Sequence, residues 1–154
     1  MSDTVTVLAQ IGPGFFGVIG SGIGAILLYA VLGLLLLLIG FWAVDVTTPG
    51  PLNRMVRAGN PGSVVVTASG LVGIAFVIVT AISVSTGSLL EGLLATLIFG
   101  LVGIIAQVGA VRLLEWITGI DVGAVLKSET LLPQAWVIAA AHLAIGAVVA
   151  VAII

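Results

Sequence analysis

The hydrophobic pattern of the chain consists of long uncharged stretches separated by a few charged residues. One such stretch lies between Arg57 and Glu91, and two more run from Gly92 to Val111 and from Thr130 to Ile154. A helix needs about 20 residues to cross roughly 30 Å of hydrocarbon. Each of these three stretches is long enough for this, and each therefore predicts one membrane-spanning helix.

The first uncharged stretch is different, because the segment between Asp3 and Asp45 is too long for one span and too short for two. Its early part contains Gln10, the sequence Gly12-Pro13-Gly14 and further glycines, which interrupt helices. We expect residues 1–21 to form a short interfacial segment on the outer side. A strongly apolar span over about 22–44 then follows.

The predicted spans fall into two similar units within one membrane domain. Residues 22–85 hold spans at about 22–44 and 62–85, and residues 92–154 hold spans at about 92–116 and 132–154. Pro61 and Pro133 stand at corresponding places in the two units, where each introduces the second helix. Since each unit has two spans, both units enter the membrane in the same direction. The expected fold class is all-α: a polytopic membrane protein whose four transmembrane helices form two tandem two-helix repeats in parallel orientation.

Composition supports this assignment and excludes several classes of protein. Hydrophobic residues make up 61% of the 154 residues and charged residues only 6%, whereas about 25% charged residues are usual in soluble domains. Four Lys and Arg residues cannot form a basic surface for nucleic acid, and no Cys is present for disulfides. The chain also lacks a GxSxG sequence, a phosphate loop and a cluster of metal ligands. We therefore expect no enzyme activity, cofactor, metal site or nucleic-acid partner.

The cations predict how the chain is oriented in the membrane. All four fall on the same side of the predicted spans: Arg54, Arg57, Arg112 and Lys127. The positive-inside rule then places loops one and three in the cytoplasm and both termini outside. The indoles of Trp42, Trp116 and Trp136 fall on the cation side as well, where an interfacial aromatic belt is expected.

The two connectors on the cation side are predicted to be amphipathic. In the first, Leu52, Met55 and Val56 share a helical face opposite Arg54 and Arg57. In the second, Asp121 can cap a short helix whose apolar face holds Val122, Val125 and Leu126. Such segments suit the membrane–water boundary. They are either short helices that pack against the bundle, or a site for a lipid headgroup or a partner protein.

Four polar residues are candidates for chemistry within the membrane. His142 and Gln107 fall near the middle of their predicted spans. Thr67 and Ser69 fall in the cytoplasmic half of the second span, and these depths allow all four to share a layer near the midplane. An ionisable residue at such a depth is a functional candidate. A neutral imidazole bonded to a neighbouring Gln or Ser is equally an ordinary contact between helices. The pattern therefore allows a structural role and a role in permeation or proton movement.

Small residues recur four positions apart along three predicted spans: Gly20 and Gly24, Ser69 and Gly73, and Gly92, Thr96 and Gly100. Such stripes let helix backbones approach closely in lipid. These stripes can join helices of one chain or helices of two chains, and the sequence does not distinguish the two. We expect a homo-oligomer. Arg112 and Glu115, three positions apart on one helix, are expected to form an ion pair near the membrane surface.

Several motifs resemble a known bacterial membrane family. They are Asp45-Val46-Thr47-Thr48-Pro49, Ala58-Gly59-Asn60 before a glycine-rich span, Ser83 and Ser85 before Gly87-Ser88-Leu89-Leu90, and Gln107. Together they are similar to the family called domain of unknown function 350, over roughly residues 24–154. The resemblance implies four spans in two tandem repeats and a location in the bacterial inner (plasma) membrane. The second repeat departs from the pattern, since Leu131-Leu132 stands where the first has Gly59-Asn60.

The resemblance implies no activity. Members of the family are sometimes encoded near polyamine-synthase-like and envelope-stress proteins, which implies possible partners of those kinds beside the lipid bilayer. Our first hypothesis is an oligomeric membrane scaffold or assembly subunit, because the predicted spans carry no line of charged residues along which a solute could cross. The alternative is a small oligomeric channel or transporter in which the four polar residues line a pathway.

Overall fold

The computed structural model describes residues 14–48, 50–85 and 87–154, so most of the expected interfacial segment, residues 1–13, lies outside the described part. Six helices follow one another in the described ranges, and no strand occurs there. They are α1 Phe15–Thr47, α2 Leu52–Arg57, α3 Pro61–Val84, α4 Leu89–Thr118, α5 Val122–Lys127 and α6 Pro133–Ile153. The all-α fold class is therefore confirmed.

Four of these helices are long and apolar enough to cross a membrane, namely α1, α3, α4 and α6. This agrees with the four predicted spans. The order of a long helix, a six-residue helix and a second membrane-length helix occurs twice along the chain. The tandem repeat itself stays a prediction.

Helix ends follow local chemistry. Pro61 and Pro133 are the first residues of α3 and α6, where the missing N–H costs no helical hydrogen bond. Ser88 caps α4 in a capping box: its Oγ accepts from the N–H of Glu91 at 3.3 Å, and its own N–H donates to Glu91 Oε2 at 3.1 Å. Gly119 ends α4 in the left-handed region, with φ 68°.

The first helix differs from the prediction, because α1 begins at Phe15 and not near residue 22. Residues 15–21, expected in a non-helical lead-in, are helical. Each glycine there costs about 1 kcal/mol relative to alanine. An established helix, however, gains one hydrogen bond for each residue that is added, so α1 continues through Gly20 and Gly17.

The bundle is built around α3, which contacts α1, α4, α5 and α6. The α3–α6 pair is very close: a Cβ placed on Gly146 would lie 2.5 Å from the Cα of Gly73. By contrast, α1 lies at the edge and buries only Leu36 and Gly40. The best-packed part of the molecule is therefore the α3–α4–α6 core.

The short helices α2 and α5 pack together at the ends of the spans that carry the cations, which we call the cation end. Their apolar side chains are buried with the adjoining parts of α3 and α6 in one cluster: Leu52, Met55, Val66, Val122, Val125, Leu126, Ala135 and Ile138. Arg54, Arg57 and Lys127 stay exposed. The apolar faces of both connectors thus pack against the bundle, as the first of the two sequence alternatives expects.

At the opposite end, α1 continues past its neighbours. Tyr29 Oη lies 3.2 Å from Ser85 Oγ, and Ser85 directly follows α3. Residues 15–28 therefore extend beyond the end of α3. At a rise of 1.5 Å per residue, this segment is about 21 Å long.

Candidate functional site

The structure brings two of the four candidate polar residues into direct contact. Gln107 on α4 and His142 on α6 are 1% and 2% exposed. His142 follows the start of α6 at Pro133, and Gln107 precedes the end of α4 at Thr118. At about 1.5 Å per residue, both are roughly 14–17 Å from the cation end of their helices. They form a polar pair near the middle of the bundle.

Two glycines of α3 make room for this pair. A Cβ on Gly70 would lie 3.5 Å from the His142 ring, and a Cβ on Gly73 would collide with the Gln107 amide and with the His142 carbonyl. Gly70 follows Pro61 at the same spacing at which His142 follows Pro133. The glycines therefore let three helices meet around two large polar side chains.

The Gln107 carboxamide fits its surroundings in two orientations. In the first, Nε2 donates to the His142 carbonyl oxygen and Oε1 faces His142 Nδ1, both at 3.3 Å. In the second, the nitrogen donates to the Gly70 carbonyl oxygen and to His142 Nδ1, both at 3.3 Å, while the oxygen accepts from the Ile74 N–H at 3.2 Å. The second orientation satisfies more groups, and in it Nδ1 is an acceptor.

Thr67 lies beside this pair without joining its hydrogen bonds. Its hydroxyl oxygen is buried and has no hydrogen-bond partner within the described ranges. Thr67, Gly70 and His142 line one small cavity together with residues of α1. Ser69 is buried as well, but its hydroxyl donates to the Val66 carbonyl of its own helix at 2.8 Å. Three of the four candidates, Thr67, Gln107 and His142, therefore lie together, whereas Ser69 bonds its own helix.

A second cavity lies between His142 and the cation end. Its lining contains His142 at one side and Arg112, Thr47 and Thr48 at the other, with apolar residues between them. Arg112 pairs with Glu115 at 2.6 Å, as expected, and its side chain is 40% exposed. The second carboxylate oxygen of Glu115 accepts from the Val122 N–H at 3.3 Å. The ion pair thus fixes the start of α5 beside the cavity.

The family-like motif residues mostly connect segments at the cation end. Asp45 Oδ1 accepts from the Asn53 N–H at 3.2 Å, and Thr48 Oγ1 donates to the Val44 carbonyl at 2.7 Å. Gly59 has φ 78°, which favours glycine, and Asn60 Nδ2 donates to the Lys127 carbonyl at 3.4 Å. Pro49 lies outside the described residues. The contact of Asp45 joins α1 to α2, and that of Asn60 joins the end of the first connector to the second.

Sequence reasoning missed two buried contacts near the site. Ser63 is fully buried and donates to the Leu126 carbonyl at 2.7 Å, which ties α3 to α5. Gly70 was not singled out, although it faces the imidazole. Gly70 follows Pro61 at the spacing at which His142 follows Pro133. This equal spacing could have indicated that the two residues lie at the same depth.

Comparison with known proteins gives the family. The chain matches the family described as Domain of Unknown Function (DUF350) over residues 18–153. The chain belongs to the DUF350 family. The match begins within α1 and ends at the last residue of α6, so this DUF350 domain contains both members of the polar pair.

The relatives are likewise membrane proteins by name. A UPF0719 transmembrane protein of Mycolicibacterium paratuberculosis is 33% identical over 133 residues, which cover 86% of this DUF350 chain and 88% of the relative. UPF0719 transmembrane protein Mb2631 of Mycobacterium bovis is 36% identical over 80 residues, covering 51% of this chain and 53% of that protein. No solved structure matches this chain. The family is thereby shown, and the four apolar helices are consistent with a multi-pass membrane protein.

Proposed function

We propose that this DUF350 protein is a non-enzymatic oligomeric membrane scaffold or assembly subunit, whose copies join through the first part of α1. The observation that carries the proposal is the segment of residues 15–28, which extends beyond the end of α3 marked by the Tyr29–Ser85 contact. We call it the α1 extension.

The rest of the bundle already has the thickness of a membrane. From Tyr29 to Thr47, α1 rises by about 27 Å. From Glu91 to Arg112, α4 rises by about 32 Å. The hydrocarbon core of a bilayer is roughly 30 Å thick. Most of the α1 extension therefore lies beyond a boundary that Tyr29, Ser85 and Glu91 mark with polar groups. Its last residue, Leu28, still lines a groove with Leu93 and Leu94 of α4.

The extension is unsuited to an aqueous surface. It contains no charged residue, and most of its large side chains are exposed: Phe15, Phe16, Val18, Ile19, Ile23, Ile26, Leu27 and Leu28. Burying apolar surface stabilises by about 25 cal/mol per Å². Burial of these side chains against another apolar surface would therefore be favourable, so we expect the segment to bind a partner.

A second copy of the same chain fits the extension best. Gly17, Gly20 and Gly24 lie along one side, and a Cβ on any of them would meet nothing within 4 Å in the described ranges. The other two small-residue stripes already pack inside the chain, where Gly100 faces Leu36 and Gly73 faces Gly146. Identical uncharged helices do not repel each other, and small residues let them approach closely.

The cation end supplies the surface for other partners. Arg54 and Arg57 on α2 and Lys127 on α5 are exposed on neighbouring short helices. Such a surface suits an acidic face of a partner protein, for which envelope-stress and polyamine-synthase-like proteins are our candidates. We also propose an inner-membrane location with the cation end in the cytoplasm and both termini outside, following the positive-inside rule.

The assembly is tested by measuring the mass of the protein in lipid nanodiscs. Wild type is expected to be oligomeric, and Gly20→Ile with Gly24→Ile is expected to shift it to monomer, because branched side chains hold the helices apart. Gly22→Ile is the matched control, since Gly22 also has open space around it but points away from the stripe. A monomeric wild type, or an unchanged oligomer in the double variant, contradicts the proposal.

The alternative function is a small oligomeric channel or transporter, and the cluster of Thr67, Gln107 and His142 favours it. Close packing of Gly73 against Gly146 favours the scaffold over a path through one copy. Liposome flux of wild type, His142→Ala and Gln107→Ala separates the two. A flux that the variants abolish supports transport, whereas near-zero flux in all three supports the scaffold.

A further inference from the structure

Two polar atoms near the middle of the bundle lack hydrogen-bond partners in the described part of the chain. The first is Oγ1 of Thr67, which is buried. The second is Nε2 of His142, whose ring bonds Gln107 through Nδ1 only. A buried hydroxyl without a partner, as at Thr67, is rare, because it costs desolvation energy that no hydrogen bond returns. Both atoms belong to residues that line the same cavity.

The space beside these atoms has the size of single water molecules. In the cavity lined by Thr67 and His142, the centre of a water molecule can occupy a volume of about 10 Å³. In the cavity lined by His142 and Arg112, this volume is about 20 Å³. A water molecule needs roughly 10–15 Å³ measured in this way, together with two or more polar partners. The two cavities share the side chains of Val44, Val66 and His142. Larger solutes do not fit.

The orientation of Gln107 decides what His142 offers to such a water. When the amide nitrogen donates to Nδ1, the proton of the neutral imidazole is on Nε2. Nε2 then carries the N–H that is free to donate, and the hydroxyl of Thr67, which lines the same cavity as His142, can accept or donate. In the other orientation Nδ1–H donates to the amide oxygen and Nε2 becomes an acceptor. Either way the ring has one hydrogen bond left for water.

We propose that a water-filled inlet leads from the cation end to His142, and that its innermost water is bound by His142 Nε2 and Thr67 Oγ1. The ligand class is water, with the protons that water carries. One turn further along α6, away from the cation end, Gly146 contacts Gly73 and leaves no space between α3 and α6. The inference does not depend on assembly, because every residue of the inlet belongs to one chain.

No charged side chain of the described residues forms a hydrogen bond with the imidazole. Among titratable groups of the described residues, Arg112 alone lines a cavity with it, and Glu115 already pairs with that side chain. On α1, Asp45 accepts from Asn53, and on α5, Asp121 caps its own helix while Lys127 is exposed. The helices α3 and α6 contain no titratable side chain besides His142. The site therefore needs hydrogen bonds and no counter-charge.

The test is magnetisation transfer from water to the imidazole by solid-state NMR in bilayers. His142 is the only histidine, so histidine labelling gives one ring signal when the purification tag contains none. Wild type is expected to show a water cross-peak at His142. Thr67→Val, which keeps the shape and removes the hydroxyl, is expected to lose it, and Thr67→Ser is expected to keep it. Thr96→Val is the matched control, since the buried Thr96 hydroxyl bonds its own helix at 2.9 Å.

A second pair of variants tests the route. Val108 lines the cavity between Arg112 and His142, so Val108→Phe is expected to remove the water cross-peak. Val102→Phe, at an exposed position of the same helix, is expected to leave it unchanged. A wild type without water contact at His142 overturns the proposal. So does a cross-peak that persists in both Thr67→Val and Val108→Phe while these variants keep the wild-type helical circular dichroism.

Discussion

At the scale of residues, small side chains determine where the polar ones can be placed. Gly70 and Gly73 leave space that the imidazole of His142 and the amide of Gln107 occupy. Gly146 lets α6 approach the backbone of α3 directly. Lipid supplies no hydrophobic drive between helices, so such close packing and the enclosed hydrogen bonds stabilise the bundle.

Gly146→Ala tests this packing. A Cβ there would lie 2.5 Å from the Gly73 Cα, so the helices must separate. We expect the variant to lose about 1–3 kcal/mol of unfolding free energy, the usual cost of overpacking. Unfolding in mixed micelles measures it. Gly109→Ala is the control, because its Cβ meets nothing within 4 Å in the described ranges. Equal stability of the two variants would contradict the packing described above.

A double-mutant cycle tests the polar pair. Gln107→Leu and His142→Leu each remove one partner of a buried contact. We expect a coupling of about 0.6–1.7 kcal/mol between them, as for other hydrogen bonds within membranes. The unfolding free energies of wild type, both single variants and the double variant give this coupling. Strictly additive losses would show that the two side chains do not interact.

The sequence predicted the depth of His142 and Gln107, but it did not predict their contact. Depth follows from counting residues along a span, whereas contact depends on how each helix is rotated about its axis. The apolar residues surround these helices nearly evenly, so no pattern marked the inward face. Ser69 was placed in the same layer for its depth, yet its hydroxyl bonds its own helix.

At the scale of elements, the short helices α2 and α5 connect the two halves of the chain. Their positions depend on a few specific bonds, among them Ser63 to the Leu126 carbonyl and Asn60 to the Lys127 carbonyl. Asp121 caps α5 by accepting from the Ala124 N–H at 2.9 Å. The sequence predicted this cap, because Asp is a favoured residue directly before a helix.

Asp121→Ala tests the role of the cap. We expect a loss of about 1 kcal/mol, the usual value for such a residue. Amide hydrogen exchange over residues 122–127 is expected to become faster, because the cap holds the first turn of α5. Asp121→Asn keeps the accepting oxygen and is expected to stay near wild type. If exchange in Asp121→Ala equals that in Asp121→Asn, the cap does not hold α5.

The start of α1 was the element that the sequence placed wrongly. Glycines near Gly17 and Gly20 were taken to interrupt the helix, but α1 begins at Phe15. Single glycines cost only about 1 kcal/mol each, and a helix that has already formed gains a hydrogen bond for each added residue, so they do not end it. The remaining span boundaries were predicted from charged residues and prolines, which mark where the chain leaves the membrane for water.

At the scale of the whole molecule, the chain forms one bundle with a well-packed core and an extended first helix. Within the described residues, α1 buries only Leu36 and Gly40, and residues 14–23 are all exposed. Composition and hydropathy were sufficient to predict the membrane class and four spans. They did not indicate the α1 extension, because its position depends on where α3 ends relative to Tyr29.

Cysteine cross-linking in native membranes tests most directly whether copies join through the α1 extension. The natural chain has no Cys, so one introduced residue reports on one position. Ser21→Cys lies on the side of Gly17 and Gly24, and we expect mild oxidation to give a disulfide-linked dimer. Ile26→Cys, on the other side of the helix, is expected to remain monomeric. Equal cross-linking of the two variants, or none at Ser21→Cys, would contradict assembly through this surface.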